Sequence, residues 1–214
     1  TLDFGISILS TTDGTERTNI GLLTRSNITY MENWDIPGWD YANVSNIAKP
    51  SECQAACDND RVCKSWSFVM HDQTSYCYLK SGVPLPVKTT QCTSGVKVLN
   101  AQDEQLVWIY IDRTQSSTDP EAEHSPYFGS IWFKTHENYL NINEDKWFLT
   151  LNIFIDHSVI EIFEQHGRLA MTARVYPENP QAYYMGVYTN TEEEQKVIIN
   201  SINAWNLSTI WSKT

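Results

Sequence analysis

The chain has 214 residues and a formal net charge of −11; 41% of the residues are hydrophobic, 19% are charged, and Trp, Tyr and Phe number 8, 11 and 7. This supplies a core for one large or two modest domains and excludes wholesale disorder. So acidic a surface repels phosphate backbones and anionic lipid, which argues against nucleic acid as a partner, and no apolar run reaches the length of a membrane span.

In chain order, the sequence opens on Thr1 with no signal-peptide pattern, as expected of a mature or processed chain. Phe4-Gly-Ile-Ser-Ile-Leu-Ser is a β-rich run, Thr12-Asp-Gly-Thr a turn, and Thr18-Asn-Ile-Gly-Leu-Leu a returning strand. Composition then changes. Cys53, Cys57, Cys63, Cys77 and Cys92 all fall within residues 27–100 and neither flank has any. Clustered cysteines read as a local disulfide framework; a zinc site would want Cys-x-x-Cys spacing, and His71 is the only imidazole nearby. Asn27-Ile-Thr, Asn43-Val-Ser and Asn206-Leu-Ser are N-glycosylation sequons, which together with the cysteines point to a secreted, extracellular or vacuolar protein.

Lys49-Pro-Ser-Glu-Cys-Gln-Ala-Ala-Cys-Asp-Asn-Asp is the one convincing helix. Pro50 suits its first turn, and Cys53 and Cys57, four apart, share a face. Trp34 and Trp39 lie in a loop with Gly and Pro and are candidates for stacking on a sugar; Trp66 either joins them or packs under the helix. Beyond residue 101 strand patterns return at Leu106–Ile111, Tyr127–Phe133, Trp147–Ile155, Val159–Phe163, Leu169–Val175, Tyr183–Tyr188 and Lys196–Ala204. These seven runs, separated by turns and almost free of helical periodicity, predict a mainly β fold, a β-sandwich. The simplest organisation is a sandwich of residues 1–26 and 101–214 interrupted by a disulfide module at 27–100; such an insertion needs only that the module's two ends lie close together.

Asp35-Ile-Pro-Gly-Trp-Asp-Tyr, Cys53-x3-Cys57-x5-Cys63-Lys-Ser-Trp-Ser-Phe and Cys77-Tyr-Leu-Lys resemble the PAN/apple family of small α+β modules. The resemblance implies Cys53–Cys77 and Cys57–Cys63 bridges and a role in binding proteins or sugars. Many such modules join their ends with a further bridge. Cys92 is placed for it, but no early cysteine is present to receive it, so Cys92 is a free thiol or an intermolecular bridge.

Asp156-His-Ser-Val-Ile-Glu161 and Thr172-Ala-Arg-Val-Tyr-Pro177 resemble the C-terminal β-sandwich of the invertase/fructanase (β-fructofuranosidase) family of glycoside hydrolases, with a concanavalin- or jelly-roll-like fold. Phe4-Gly-Ile-Ser-Ile-Leu-Ser, Ile111-Asp-Arg-Thr-Gln-Ser-Ser and Ile202-Asn-Ala-Trp-Asn-Leu match further pieces of it in order. In that family a preceding propeller carries the two catalytic carboxylates. Its Asn-Asp-Pro-Asn-Gly and Arg-Asp-Pro motifs are missing here, and Glu52-Cys53 lies in the disulfide helix. The sandwich also begins without its first strand, so a partner chain or a second copy is expected at the open edge.

The expected function is non-catalytic, lectin-like recognition of glycans, fructosides or galactosides, with no cofactor. The alternatives are a processed tail chain with a companion propeller chain, and an adhesion module acting through the insert. A homodimer would raise weak monovalent affinity. Asp156, Glu161 and Arg174 are the candidates for hydrogen bonds to sugar hydroxyls, since carboxylates and guanidinium present paired acceptors and donors. Against this, Asp156 and Ser158 suit a tight turn, and Glu161 and Arg174 suit pairing across adjacent strands. Tyr183 and Tyr184 should straddle a strand, one ring in the core and one outward for stacking. Glu192-Glu-Glu reads as a solvated hairpin tip, with a calcium site as the alternative, and His124, His136 and His166 show no metal spacing.

Overall fold

The computed structural model describes residues 1–71, 74–98, 104–134, 149–164, 167–190 and 198–205. The elements run β1 (Leu2–Ser10), β2 (Arg17–Thr24), β3 (Met31–Asp35), β4 (Asp40–Val44), α1 (Pro50–Asn59), β5 (Ser65–His71), β6 (Thr74–Lys80) and β7 (Val87–Val96). They continue with β8 (Glu104–Gln115), β9 (Tyr127–Lys134), β10 (Leu151–Asp156), β11 (Val159–Glu164), β12 (Leu169–Arg174) and β13 (Tyr184–Thr189). The fold is mainly β, and every strand pairing among the described residues is antiparallel.

Among the described residues three sheets form: a long one ordered β13-β1-β2-β8-β9, a short one ordered β10-β11-β12, and a third ordered β3-β7-β5-β6-β4. The long and short sheets make the sandwich. Ile8, Ile20, Leu22, Ile109 and Ile111 of the long sheet interlock with Ile160, Ile162, Met171 and Ala173 of the short one.

The long sheet is covered on its other face too. Leu23, Leu106 and Trp108, whose side chains alternate with those of the sandwich core, pack with Ile28, Met31, Ile36 and Val96. Burial on both faces explains why Ile-Gly-Leu-Leu and Leu-Val-Trp-Ile-Tyr-Ile read as continuous apolar runs rather than as alternating strands. The Trp108 indole N–H donates to the Val83 carbonyl at 3.2 Å, joining the long sheet to the segment between β2 and β8.

Within that segment the Cys53–Cys77 disulfide staples α1 to β6, and Cys57–Cys63 ties α1 to the loop before β5. Fully buried Trp66 and buried Phe68 fill the space beneath, so Trp66 is core and offers no ring to a ligand. The last turn of α1 has no basic residue. Lys97 supplies the cation from outside, donating to the carbonyls of Cys57 at 3.2 Å and Asp60 at 2.7 Å, where the helix dipole is negative.

Several elements differ from expectation. The run expected from Trp147 begins as a strand only at Leu151 among the described residues, and residues 198–204 of the final expected strand are not in a strand. Residues 147–148 and 196–197 lie outside the described residues. β8 extends well past Ile111, because both of its faces are packed and both of its edges are paired, to β2 and β9. The larger correction concerns Tyr183 and Tyr184. Both are exposed, and their rings stack on each other at 4.8 Å. β13 begins only at Tyr184 and is the outer strand of the long sheet, which has five strands against three in the short sheet, so among the described residues no core forms beneath it. Met185 and Val187 are exposed for the same reason.

Candidate functional site

The short sheet positions most of the expected site. Its register sets three cross-strand rows: Asp156–Val159–Arg174, Phe154–Glu161–Thr172 and Asn152–Phe163–Ala170. All nine side chains point away from the sandwich core, because Ile160, Ile162, Met171 and Ala173 point into it and side chains alternate along a strand. The structure therefore brings Asp156, Glu161 and Arg174 onto one outward face. Phe154 is 47% exposed there and meets Phe163 edge-on, ring centroids 5.8 Å apart.

The Asp156 and Val159 pairing leaves His157-Ser158 as a two-residue hairpin loop, and His157 takes the positive φ of 53° that the tight turn requires. Asp156 Oδ1 lies 2.6 Å from His157 Nδ1, with the two side chains 87% and 96% exposed. Arg174 forms no ion pair with Glu161; its Nε donates to the Tyr176 hydroxyl at 3.1 Å and its guanidinium lies 5.5 Å from that ring. The pairing expected across strands fails because Glu161 faces Thr172, and Arg174 is one row further on. Glu161 thus keeps its acceptor capacity toward solvent.

The other candidates lie elsewhere. Trp39, with φ 61°, is 62% exposed at the tip before β4, and its ring rests against Gly82, where any side chain would collide with it. Trp34 in β3 is half-buried, with the Arg25 guanidinium 4.2 Å and the Lys88 ammonium 5.8 Å from its ring centre. Neither joins the outer face of the short sheet. Asn27 and Asn43 are exposed, the latter on β4, an edge of its sheet. Asn206, Glu192-Glu-Glu, His136 and His166 lie outside the described residues. His124 contacts the carbonyls of Asp119 and Arg113 and is structural. Among the described residues no three His, Cys, Asp or Glu side chains are grouped to hold a metal.

Sequence reasoning missed two polar anchors of the sandwich. Arg113 Nε donates to the Ser125 carbonyl at 2.8 Å and a terminal guanidinium nitrogen donates to the Arg174 carbonyl at 3.0 Å, linking the two sheets at one end. The Ile111-Asp-Arg-Thr match pointed to this place without giving its role. Glu16 is fully buried, and its carboxylate accepts from the backbone N–H groups of Thr118, Glu178 and Asn179. Burial raises its pKa, but those hydrogen bonds outweigh burial and hold it below the usual glutamate value. Nothing in the sequence around Glu16 signals this.

The family of glycosyl hydrolases family 32 C terminal matches residues 43–206, and the chain belongs to it. Among curated relatives, β-fructofuranosidase insoluble isoenzyme 2 of Daucus carota is 28% identical over 111 residues, 52% of this chain and 17% of that protein. β-Fructofuranosidase insoluble isoenzyme 5 of Oryza sativa subsp. japonica is 29% identical over 113 residues, 53% and 19%. Fructan 6-exohydrolase of Beta vulgaris is 32% identical over 114 residues, 52% and 17%. The chain thus spans less than a fifth of the length of these relatives. No solved structure matches it.

Proposed function

We propose that the chain is a non-catalytic, lectin-like carbohydrate-binding protein whose ligands are fructosides or galactosides. The observation that supports this best is the outer face of the short sheet. There Glu161 and Asp156 offer acceptors, Arg174 offers donors, and Phe154 offers an exposed ring within one three-row register. A sugar needs this combination, directed bonds to hydroxyls beside a flat apolar surface for its C–H face. The face is open, with Asp156 and His157 in solvent. The family match, confined to a C-terminal domain, accords with this reading. The insert, an α-helix stapled by one disulfide to a five-stranded sheet and by another to the loop before β5, fits an apple-like module, and the disulfides and the exposed Asn27 and Asn43 sequons fit an extracellular or vacuolar site.

A glycan array on the intact chain, carrying sucrose, inulin, levan and galactosides, tests the reading. Selective binding weakened by Glu161→Gln and Arg174→Ala supports it; an array blank for every sugar sinks it. Two observations favour a second reading, a tail chain accompanying a separate propeller chain: Met185 and Val187 stand exposed on β13, and the relatives carry most of their length outside the matched region. Co-purification of a propeller-sized chain from the native source would favour it.

A further inference from the structure

A cavity of about 360 Å³ lies where the disulfide-bearing segment meets the edge of the long sheet, lined by Asp3, Leu23, Trp34, Val87, Lys88 and Asn190 among others. Asp3, Leu23 and Asn190 come from the β1–β2–β13 side, and Trp34, Val87 and Lys88 from β3 and β7. Neither part makes the cavity alone. Its volume is at the lower end of small-molecule sites, ~300–1,000 Å³.

The floor holds a pre-oriented carboxylate. The Tyr110 hydroxyl donates to Asp3 Oδ1 at 2.6 Å and lies 2.8 Å from the Tyr188 hydroxyl. Burial raises the pKa of both phenols, so both keep their protons. The two hydroxyls can meet because residue 21 is glycine. A Cβ there would sit 2.2 Å from Tyr110 Cζ and 2.3 Å from the Tyr188 oxygen. The Asn190 backbone N–H donates to the Asp3 carbonyl at 2.7 Å, fixing the main chain. Asp3 Oδ2 has, among the described residues, one long contact, 3.5 Å from Asn190 Nδ2. A carboxylate positioned through one oxygen, with the other kept for a visitor, is how a rigid supporting shell prepares an acceptor.

The apolar wall is also fixed. The β3–β7 register shifts between Glu32 and Trp34, with Asn33 at φ 60°, and this irregularity sets Trp34 opposite Lys88. The Arg25 guanidinium, 4.2 Å from the ring centre, helps hold Trp34 in place as a wall of the cleft.

We infer that this inter-module cleft is a second saccharide site, taking one neutral fructosyl or glycosyl unit whose hydroxyls donate to Asp3 Oδ2 and pair with the Asn190 amide, its C–H face against Trp34 and Leu23. The ligand class rests on the carbohydrate reading proposed above; the site does not, since it shares no residue with the short-sheet face.

The test is an NMR titration of the full chain with sucrose and with inulin oligosaccharides, following the Trp34 indole N–H and the Asp3 amide beside the Phe163 and Thr172 amides. Saturable shifts at Trp34 and Asp3 are expected. Asp3→Asn, which still accepts from Tyr110, should weaken them about tenfold, and Asn190→Ala, at an exposed position, about threefold. Shifts confined to Phe163 and Thr172, or cleft shifts unaltered in both variants, overturn the cleft and leave lectin activity standing. No shift at any sugar concentration overturns both.

Discussion

The Glu16 carboxylate accepts a 2.8 Å hydrogen bond from the backbone N–H of Asn179, 163 residues further along the chain. With Thr118 and Glu178 also donating to it, one buried side chain fixes the turn between β1 and β2 to the loops after β8 and β12. Removing its charge while keeping its shape should be costly. Glu16→Gln replaces an acceptor oxygen with an N–H₂ facing backbone donors, a loss of ~2–3 kcal/mol measurable by urea unfolding. The pH dependence follows from the sign. The folded pKa lies below the unfolded one, so the stabilisation is complete above the unfolded glutamate value and disappears as pH falls through the folded one. The wild type should lose more stability than Glu16→Gln between pH 6 and the acid limb, about pH 3. Parallel curves would remove Glu16 from the account.

Glu164 behaves in the opposite sense. It is fully buried at the end of β11, neither carboxylate oxygen has a hydrogen-bond partner among the described residues, and Arg168 Nε is 3.8 Å away. Burial raises its pKa, against the opposing pull of Arg168. A raised folded pKa gives stability that is complete below the unfolded value and lost as pH rises through the folded one. Glu164→Leu should therefore stabilise the chain at pH 7 by ~1–3 kcal/mol, and the gain should shrink toward pH 4. A drop in Tm at pH 7 would mean that the carboxylate is satisfied in solution.

These two glutamates mark the limit of what the sequence makes legible. The alternation of Val159-Ile-Glu-Ile-Phe-Glu set the strand and its inward Ile160 and Ile162. By the same alternation Glu164 points inward, where a charge is not expected. Glu16 is satisfied only by residues more than 100 positions away, a closure that local pattern cannot see. The short-sheet face was legible because Asp156, Glu161 and Arg174 lie in two consecutive hairpins whose register follows from their turns. The cleft was not, because Asp3, Trp34 and Asn190 are joined only by the packing of one sheet near another, far apart in sequence. The misplacement of Tyr183 has a similar origin: alternation gives the side a ring faces, not whether a second sheet lies beneath it.

Cys92 is 6% exposed, with its thiol directed at Asp35 at 3.5 Å. Burial, then the Asp35 carboxylate, pushes its pKa up to about 12, so almost no thiolate forms at neutral pH. The native chain should resist a thiol-specific reagent at pH 8 and titrate one thiol per chain in guanidinium. It should run as a monomer on non-reducing gels. Prompt native labelling, or a disulfide-linked dimer, would contradict this environment. Reduction of Cys53–Cys77, which closes a separation of 24 residues, should by contrast destabilise the helix-bearing module by ~3–4 kcal/mol.

Gly21 offers the sharpest test of whether the tyrosine pair matters. Its Cβ position is occupied by Tyr110 Cζ at 2.2 Å and by the Tyr188 hydroxyl at 2.3 Å, and Tyr110 packs against the core formed by Leu23, Trp108, Met31 and Ile36. Gly21→Ala must therefore push the Tyr110 ring aside. Overpacking of this kind costs ~1–3 kcal/mol, against a strand glycine that would otherwise gain from replacement. The displaced hydroxyl also releases Asp3, so the variant should lose cleft affinity while Tyr110→Phe, which removes the hydrogen bond without crowding, loses affinity with less change in Tm. If Gly21→Ala instead stabilises the chain, as a strand glycine with open space would allow, the close contact of the two hydroxyls is relaxed in solution and Asp3 is not held by them.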